Sequence, residues 1–293
     1  MNISRRDFVS LASAAAFAGC TTAAPKKADV KFGICCGGPK AVGELAEAGY
    51  DFWEGSTYTV FNPDKDDAWW KTQCKELKAL PLPIRSCNGL LPGKFRLTGP
   101  KRDFAPALAY LDIVTRRADE LGVPYLVFGS GGARNAPEGY DTAKACGEFV
   151  EFNKRFASLI EKRNVTIVLE PLQPKEANFL NFVSQGVEIS DTVGSPRIQC
   201  LADLFHMVQG GESAKSILVA GDRLKHCHIA EKGSRKYPGF EGCEYFLDYF
   251  RNLKAIGYCG GVSCECGWVK GKDELKAARV KALATMKDLL ARA

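Results

Sequence analysis

Beyond Ala28, short β-branched or apolar runs alternate with longer stretches whose apolar residues recur at helical spacing. Such alternation predicts an α/β protein with parallel strands joined by helices. The short runs place strands at residues 30–35, 51–54, 84–88, 125–128, 165–170, 198–203, 224–228 and 260–265. The longer ones place helices at residues 40–48, 66–80, 105–121, 142–162, 243–256 and 273–291, with a short one near 213–220. Gly49, Gly122 and Gly257 each close an amphipathic stretch just before a strand, the position where a left-handed residue ends a helix. Residues 29–293 divided among eight strands give about 33 residues per unit, the size expected of a single (β/α)8 TIM barrel. No linker or shift in composition marks a second folded domain.

Composition agrees with one large core: 46% of the 293 residues are hydrophobic. Forty basic against 34 acidic residues leave a net charge of +6, mild and unclustered beyond the N-terminus. A dedicated nucleic-acid binder would gather its Lys and Arg on one element, so no nucleic-acid partner is expected.

The first 28 residues read as an export signal and linker. Ser4-Arg5-Arg6-Asp7-Phe8 precedes an apolar, small-residue run over 9–18 that ends in Gly19-Cys20. That run is too short to span a bilayer. The twin arginine resembles a bacterial Tat signal, and Phe17-Ala18-Gly19-Cys20 resembles a lipoprotein cleavage box. The expectation is a chain cleaved before Cys20, with a lipid anchor there, in the cell envelope as a periplasmic or membrane-anchored lipoprotein. Of the twelve cysteines, removing Cys20 leaves an odd eleven, and no C-x-x-C occurs. Neither a disulfide framework nor a four-thiolate zinc site is indicated; thiols inside strands serve as small apolar side chains.

The chemistry gathers at strand ends. In a parallel barrel the active site forms at the C-terminal rim, and Glu170, Asp203, His228 and Glu265 end the fifth to eighth predicted strands. Their separations of 33, 25 and 37 residues each match about one βα unit, so all four reach the same rim. Ionised carboxylates there are costly unless paired or bound to a cation. Alternation along a strand turns Cys264, Cys266, Cys227 and Cys200 outward when their acidic or histidine neighbours turn inward. Three carboxylates and an imidazole suit one divalent ion with open positions; Mn²⁺ fits best, with Mg²⁺, Co²⁺ and Zn²⁺ as alternatives. His206 is expected on the loop after the sixth strand, able to donate to a substrate hydroxyl. His226 shares the parity of His228 one layer deeper, as a second ligand-type residue or a core histidine. Of the four tryptophans, Trp268, just past Glu265, is best placed to stack its ring on a ligand; Trp53, Trp69 and Trp70 suit packing. The run from Gly129 to Gly132 reads as a flexible βα loop.

Several segments resemble the sugar phosphate isomerase/epimerase superfamily with xylose-isomerase-like barrels, and its ketose 3-epimerase branch most closely. They are Glu170-Pro171-Leu172-Gln173-Pro174-Lys175-Glu176-Ala177-Asn178-Phe179-Leu180-Asn181, Ala202-Asp203-Leu204-Phe205-His206-Met207 and His228-Ile229-Ala230-Glu231-Lys232-Gly233-Ser234-Arg235-Lys236-Tyr237-Pro238-Gly239. Weaker echoes occur at Asn88-Gly89-Leu90-Leu91-Pro92 and Phe128-Gly129-Ser130-Gly131-Gly132-Ala133-Arg134. The resemblance implies that Glu170, Asp203, His228 and Glu265 hold the metal, that Glu170 and Glu265 are also the acid/base pair, and that Glu176, His206 and Arg235 contact substrate oxygens. Gln173, Pro174 and Ala177 depart from the family pattern, where Asn-Arg and Thr are common. They sit beside the substrate and leave its identity open.

The implied activity is a metal-dependent sugar isomerase or epimerase acting on a ketose or related keto-sugar. A proton beside a ketone is removable at neutral pH only if the developing enediolate is stabilised, which a divalent Lewis acid does. One glutamate takes the proton and the other returns one. With a β-leaving group the same enediolate would eliminate, so a dehydratase or lyase on a keto-sugar or inosose is the alternative enzyme. A non-catalytic sugar-binding lipoprotein is the alternative of another class. The endonucleases that share this barrel need more histidines than the three present. A homo-oligomer stays open.

Overall fold

The computed structural model describes residues 28–293; the expected export signal and Cys20 fall outside that range. Eight parallel strands close in sequence order: β1 (Lys31–Gly37), β2 (Phe52–Ser56), β3 (Ile84–Asn88), β4 (Tyr125–Phe128), β5 (Thr166–Leu169), β6 (Ile198–Asp203), β7 (Leu224–Ile229) and β8 (Gly261–Cys264). The barrel is completed by β1 pairing with β8, Gly33 opposite Ser263. This is a single (β/α)8 TIM barrel. All eight strands lie at the expected places, but β5 and β8 stop one residue short of Glu170 and Glu265, which open the following loops.

Among the described residues, eleven α-helical segments surround the barrel: α1 (Val42–Ala48), α2 (Thr57–Phe61), α3 (Asp67–Lys78), α4 (Phe104–Leu121), α5 (Gly131–Arg134), α6 (Thr142–Leu159), α7 (Val183–Val193), α8 (Leu204–Gln209), α9 (Ser216–Ala220), α10 (Leu247–Ala255) and α11 (Lys272–Arg292). Their starts follow from capping chemistry. Asp66, Asp103 and Asp141 each accept a backbone N–H of the first turn of α3, α4 and α6. Gly49 and Gly122 end α1 and α4 with φ of +87° and +80°, angles that only glycine adopts cheaply. The predicted helix at 243–256 begins as a 3₁₀ turn, Glu244–Phe246, before α10. The Gly129–Gly132 stretch is not a plain loop: it leads into α5.

Two layers of core follow from strand alternation. Outward side chains pack under the helices, while Val127, Val168 and Leu201 fill the barrel interior. Cys264 and Cys200 obey the expected parity: Cys264 Sγ lies 3.6 Å from Met286 Sδ of α11, and Cys200 packs towards Gly186 of α7, whereas Cys35 of β1 turns inward beside Glu54 and His228. Among the described residues, Cys35, Cys36, Cys74, Cys87, Cys146, Cys200, Cys227, Cys243, Cys264 and Cys266 are free thiols. Among the described residues, no helix is long and apolar enough to cross a membrane.

Candidate metal centre at the barrel mouth

The C-terminal rim brings the four predicted ligands together. His228, buried on β7, registers between Asp203 and Ser263. Its Nδ1 stands 3.0 Å from Glu170 Oε1, 3.6 Å from Glu265 Oε2 and 4.0 Å from Asp203 Oδ2. Glu170, Asp203, His206 and Glu265 also each offer an atom within 4.8 Å of the others. The donor set around this point is therefore three carboxylates with imidazole nitrogen from His228 or His206.

Asp203 shows how one side chain serves fold and site. As the last residue of β6 it caps α8: Oδ1 accepts from the N–H groups of Phe205 at 2.7 Å and His206 at 3.3 Å. Oδ2 is buried and has no hydrogen-bond partner. A buried carboxylate oxygen left unpaired is costly, and a cation among the carboxylates would supply what it lacks. The residues present fit a divalent ion, and oxygen-rich ligation favours a hard or borderline one.

The charges of the site show the same crowding. Burial, together with the negative charges of Glu170, Asp203 and Glu54, outweighs the attraction of His228 and pushes Glu265 up to about 7. Burial alone would lower His228, but the charges of Glu54 and Glu265 and the hydrogen bonds to Glu170 and Glu54 carry it well above the usual histidine range.

His206 is not on a loop. It lies in the first turns of α8, 2% exposed, because the strand-end aspartate starts the helix at once. The Gln173 N–H approaches its Nδ1 at 3.4 Å, and its Nε2 is 3.7 Å from Asp203 Oδ2. A ring that accepts at Nδ1 carries its proton on Nε2, facing the site.

A polar chain crosses the mouth above the ligands. Gln173 Nε2 donates to Glu176 Oε1 at 2.7 Å; Arg235 bridges Glu176 at 3.5 Å and Glu265 at 3.1 Å; Asn88 Nδ2 donates to Glu265 Oε1 at 2.9 Å. Arg235 lies 4.6 Å over the Phe205 ring and has φ of +54°, a left-handed conformation that a non-glycine residue keeps only when its surroundings fix it. They do: its N–H donates to Glu231 O at 3.0 Å and its carbonyl accepts from Gly267 at 2.7 Å. Buried Glu231 in turn accepts from the Gly239 N–H at 2.7 Å and the Tyr245 hydroxyl at 2.8 Å. The Pro238-Gly239 turn thus acts on Arg235 through Glu231.

Glycines and one arginine shape the floor. A Cβ on Gly129 would stand 2.3 Å from Glu170 Oε2, and one on Gly131 2.7 Å from Glu176 O. Fully buried Arg134 donates to Gly129 O at 2.7 Å, to Glu170 O at 3.4 Å and to Phe179 O, joining the loops after β4 and β5. Burial lowers its guanidinium to about 10. Trp268 is half-buried with its ring stacked on Tyr237, 5.5 Å between centroids and 5° between planes; one indole face is already covered. Trp53 and Trp70 are packing residues inside the core.

Residues without a role in the sequence reading also converge. Glu54 and Ser86, from the opposite side of the barrel, meet His226 and His228 in the interior. The signal for Glu54 was the one that marked Glu170: an acid ending a short apolar strand.

Parallel strands, ring closure and an acidic cluster at the C-terminal rim define a TIM-barrel protein with a candidate metal centre. Residues 42–289 match the xylose isomerase-like TIM barrel family, and the chain belongs to that family. It is 28% identical over 200 residues to a probable ketose 3-epimerase of Synechocystis sp., covering 66% of this chain and 68% of that protein. It is 34% identical over 113 residues to an L-ribulose 3-epimerase of Methylomonas sp., covering 38% and 39%. Some curated relatives are thus matched over only about half of their length or less. The D-psicose 3-epimerase of Clostridium cellulolyticum H10, solved with D-tagatose, shares the fold at a TM-score of 0.77 and 20% identity, over 89% of this chain and 99% of that one.

Proposed function

We propose that this chain is a divalent-metal-dependent sugar isomerase or epimerase acting on a ketose or related keto-sugar. The observation that carries the reading is the convergence of three carboxylates on His228 Nδ1, with Asp203 Oδ2 buried and unpaired among them. Kinship to proteins named as ketose and ribulose 3-epimerases supports the substrate class.

Glu170, Asp203, His228 and Glu265 would hold the ion, Mn²⁺ first and Mg²⁺, Co²⁺ or Zn²⁺ as alternatives. When bound, the ion supplies Lewis-acid stabilisation to the oxygens of an enediolate. Glu170 and Glu265 act as the proton-transfer pair. Glu265, flanked by Asn88 and Arg235, is placed to take and give a proton. Arg235 and Glu176 hold substrate oxygens and limit rotation. His206 donates from Nε2 to a substrate oxygen.

We further propose export of the chain and a lipid anchor at Cys20, a reading that rests on the N-terminal sequence alone.

Deuterium uptake from heavy water into a ketose, followed by NMR with Mn²⁺ present, tests the activity. Exchange at one carbon beside the carbonyl supports the reading. Tight sugar binding without exchange marks a capture protein, and loss of water marks a dehydratase.

A further inference from the structure

Below the candidate metal ligands lies a second polar layer closed off from solvent. Glu54, the third residue of β2, is fully buried and registers with Cys35 of β1 and Ser86 of β3. Its Oε2 accepts from Ser86 Oγ at 2.6 Å and lies 2.7 Å from His226 Nε2, while Oε1 lies 3.0 Å from His228 Nε2. Apolar Val127, Val168 and Leu201 fill the interior nearby, so packing alone did not require a carboxylate here. Burying one is repaid only where its lone pairs are met by well-placed donors.

The consequence falls on the far side of the His228 ring. With a cation among the carboxylates, the hydrogen bond from Nδ1 to Glu170 would give way to ligation: a ring whose one proton is donated from Nε2 to Glu54 keeps a lone pair on Nδ1. Nδ1 is the nitrogen that faces Glu170, Asp203 and Glu265. Ser86 and His226 fix Glu54 in turn. His226 Nδ1 is buried without a partner, which costs less for a bare lone pair than for an N–H and is consistent with His226 donating from Nε2.

We propose that Glu54 is a positioning residue for the metal centre, holding His228 in the tautomer that offers Nδ1 to the ion and strengthening that nitrogen as a donor. The proposal rests on the metal reading above. Outer partners of this kind govern ring orientation and ligand basicity at metal sites generally.

The test measures Mn²⁺ affinity, by the electron paramagnetic resonance of free ion, in the full chain and in Glu54→Gln and Ser86→Ala. Histidine ring ¹H–¹⁵N spectra of the wild type with Mg²⁺ complete it. The expected result is a loss of affinity of about 10–100-fold for Glu54→Gln, a smaller loss for Ser86→Ala, and a His228 ring protonated on Nε2. Unchanged affinity in Glu54→Gln, with the wild type binding normally, would overturn the inference and leave the metal reading standing. A His228 ring protonated on Nδ1 would overturn it even if Glu54→Gln fails to fold. Failure of the wild type to bind any divalent ion would remove the metal reading itself.

Discussion

Gly129→Ala separates site geometry from stability. Gly129 follows β4 directly, and its backbone lies outside the left-handed region, so alanine brings no backbone strain there. The added methyl would stand 2.3 Å from Glu170 Oε2, where ordinary contact begins at 3.4 Å. The carboxylate must therefore retreat by about 1 Å, and a misplacement of that size can cost about 100-fold in rate, equivalent to about 2.7 kcal/mol. The obstacle is the mobile end of a side chain, so overpacking should cost only about 1 kcal/mol, a fall of about 2–4 °C in Tm for a domain of this size. Solvent deuterium exchange into a ketose, run beside a thermal melt, reads both quantities. Wild-type exchange in a folded Gly129→Ala variant would refute the role assigned to Glu170.

Glu265→Gln should lower exchange by about 10²–10⁴-fold while circular dichroism stays unchanged, because glutamine has the same shape and its amide oxygen can still accept from Arg235, at the loss of the hydrogen bond from Asn88; undiminished turnover would exclude Glu265 from proton transfer. Chelation of a metal-loaded sample should lower Tm by about 5–10 °C, since an ion at about 100 times its Kd contributes about 2.7 kcal/mol; identical melts with and without chelator would count against a resident ion. Cys20→Ala should move the protein from the membrane fraction to the soluble envelope fraction; equal fractionation of both forms would argue against an anchor at Cys20.

Much of the barrel was legible because its signals are local. Strand alternation, aspartate caps and glycine stops repeat along the chain, and closure in sequence order turns one-unit spacing into adjacency at the rim. The placement of Glu170, Asp203, His228 and Glu265 at one rim thus follows from sequence spacing. His206 could not be placed on α8 from spacing, because the strand-to-helix step depends on Asp203 capping the very next residues.

The amino-acid sequence by itself determined the eight βα units, the outward thiols and the four rim residues, since period and spacing express backbone geometry. Only the tertiary structure decided what faces those residues across the barrel. Glu54 reaches His228 from 174 positions away, and the left-handed Arg235 is held by Gly267 of the next loop. Contacts of that kind exist only once the ring of strands has closed, and no local pattern carries them.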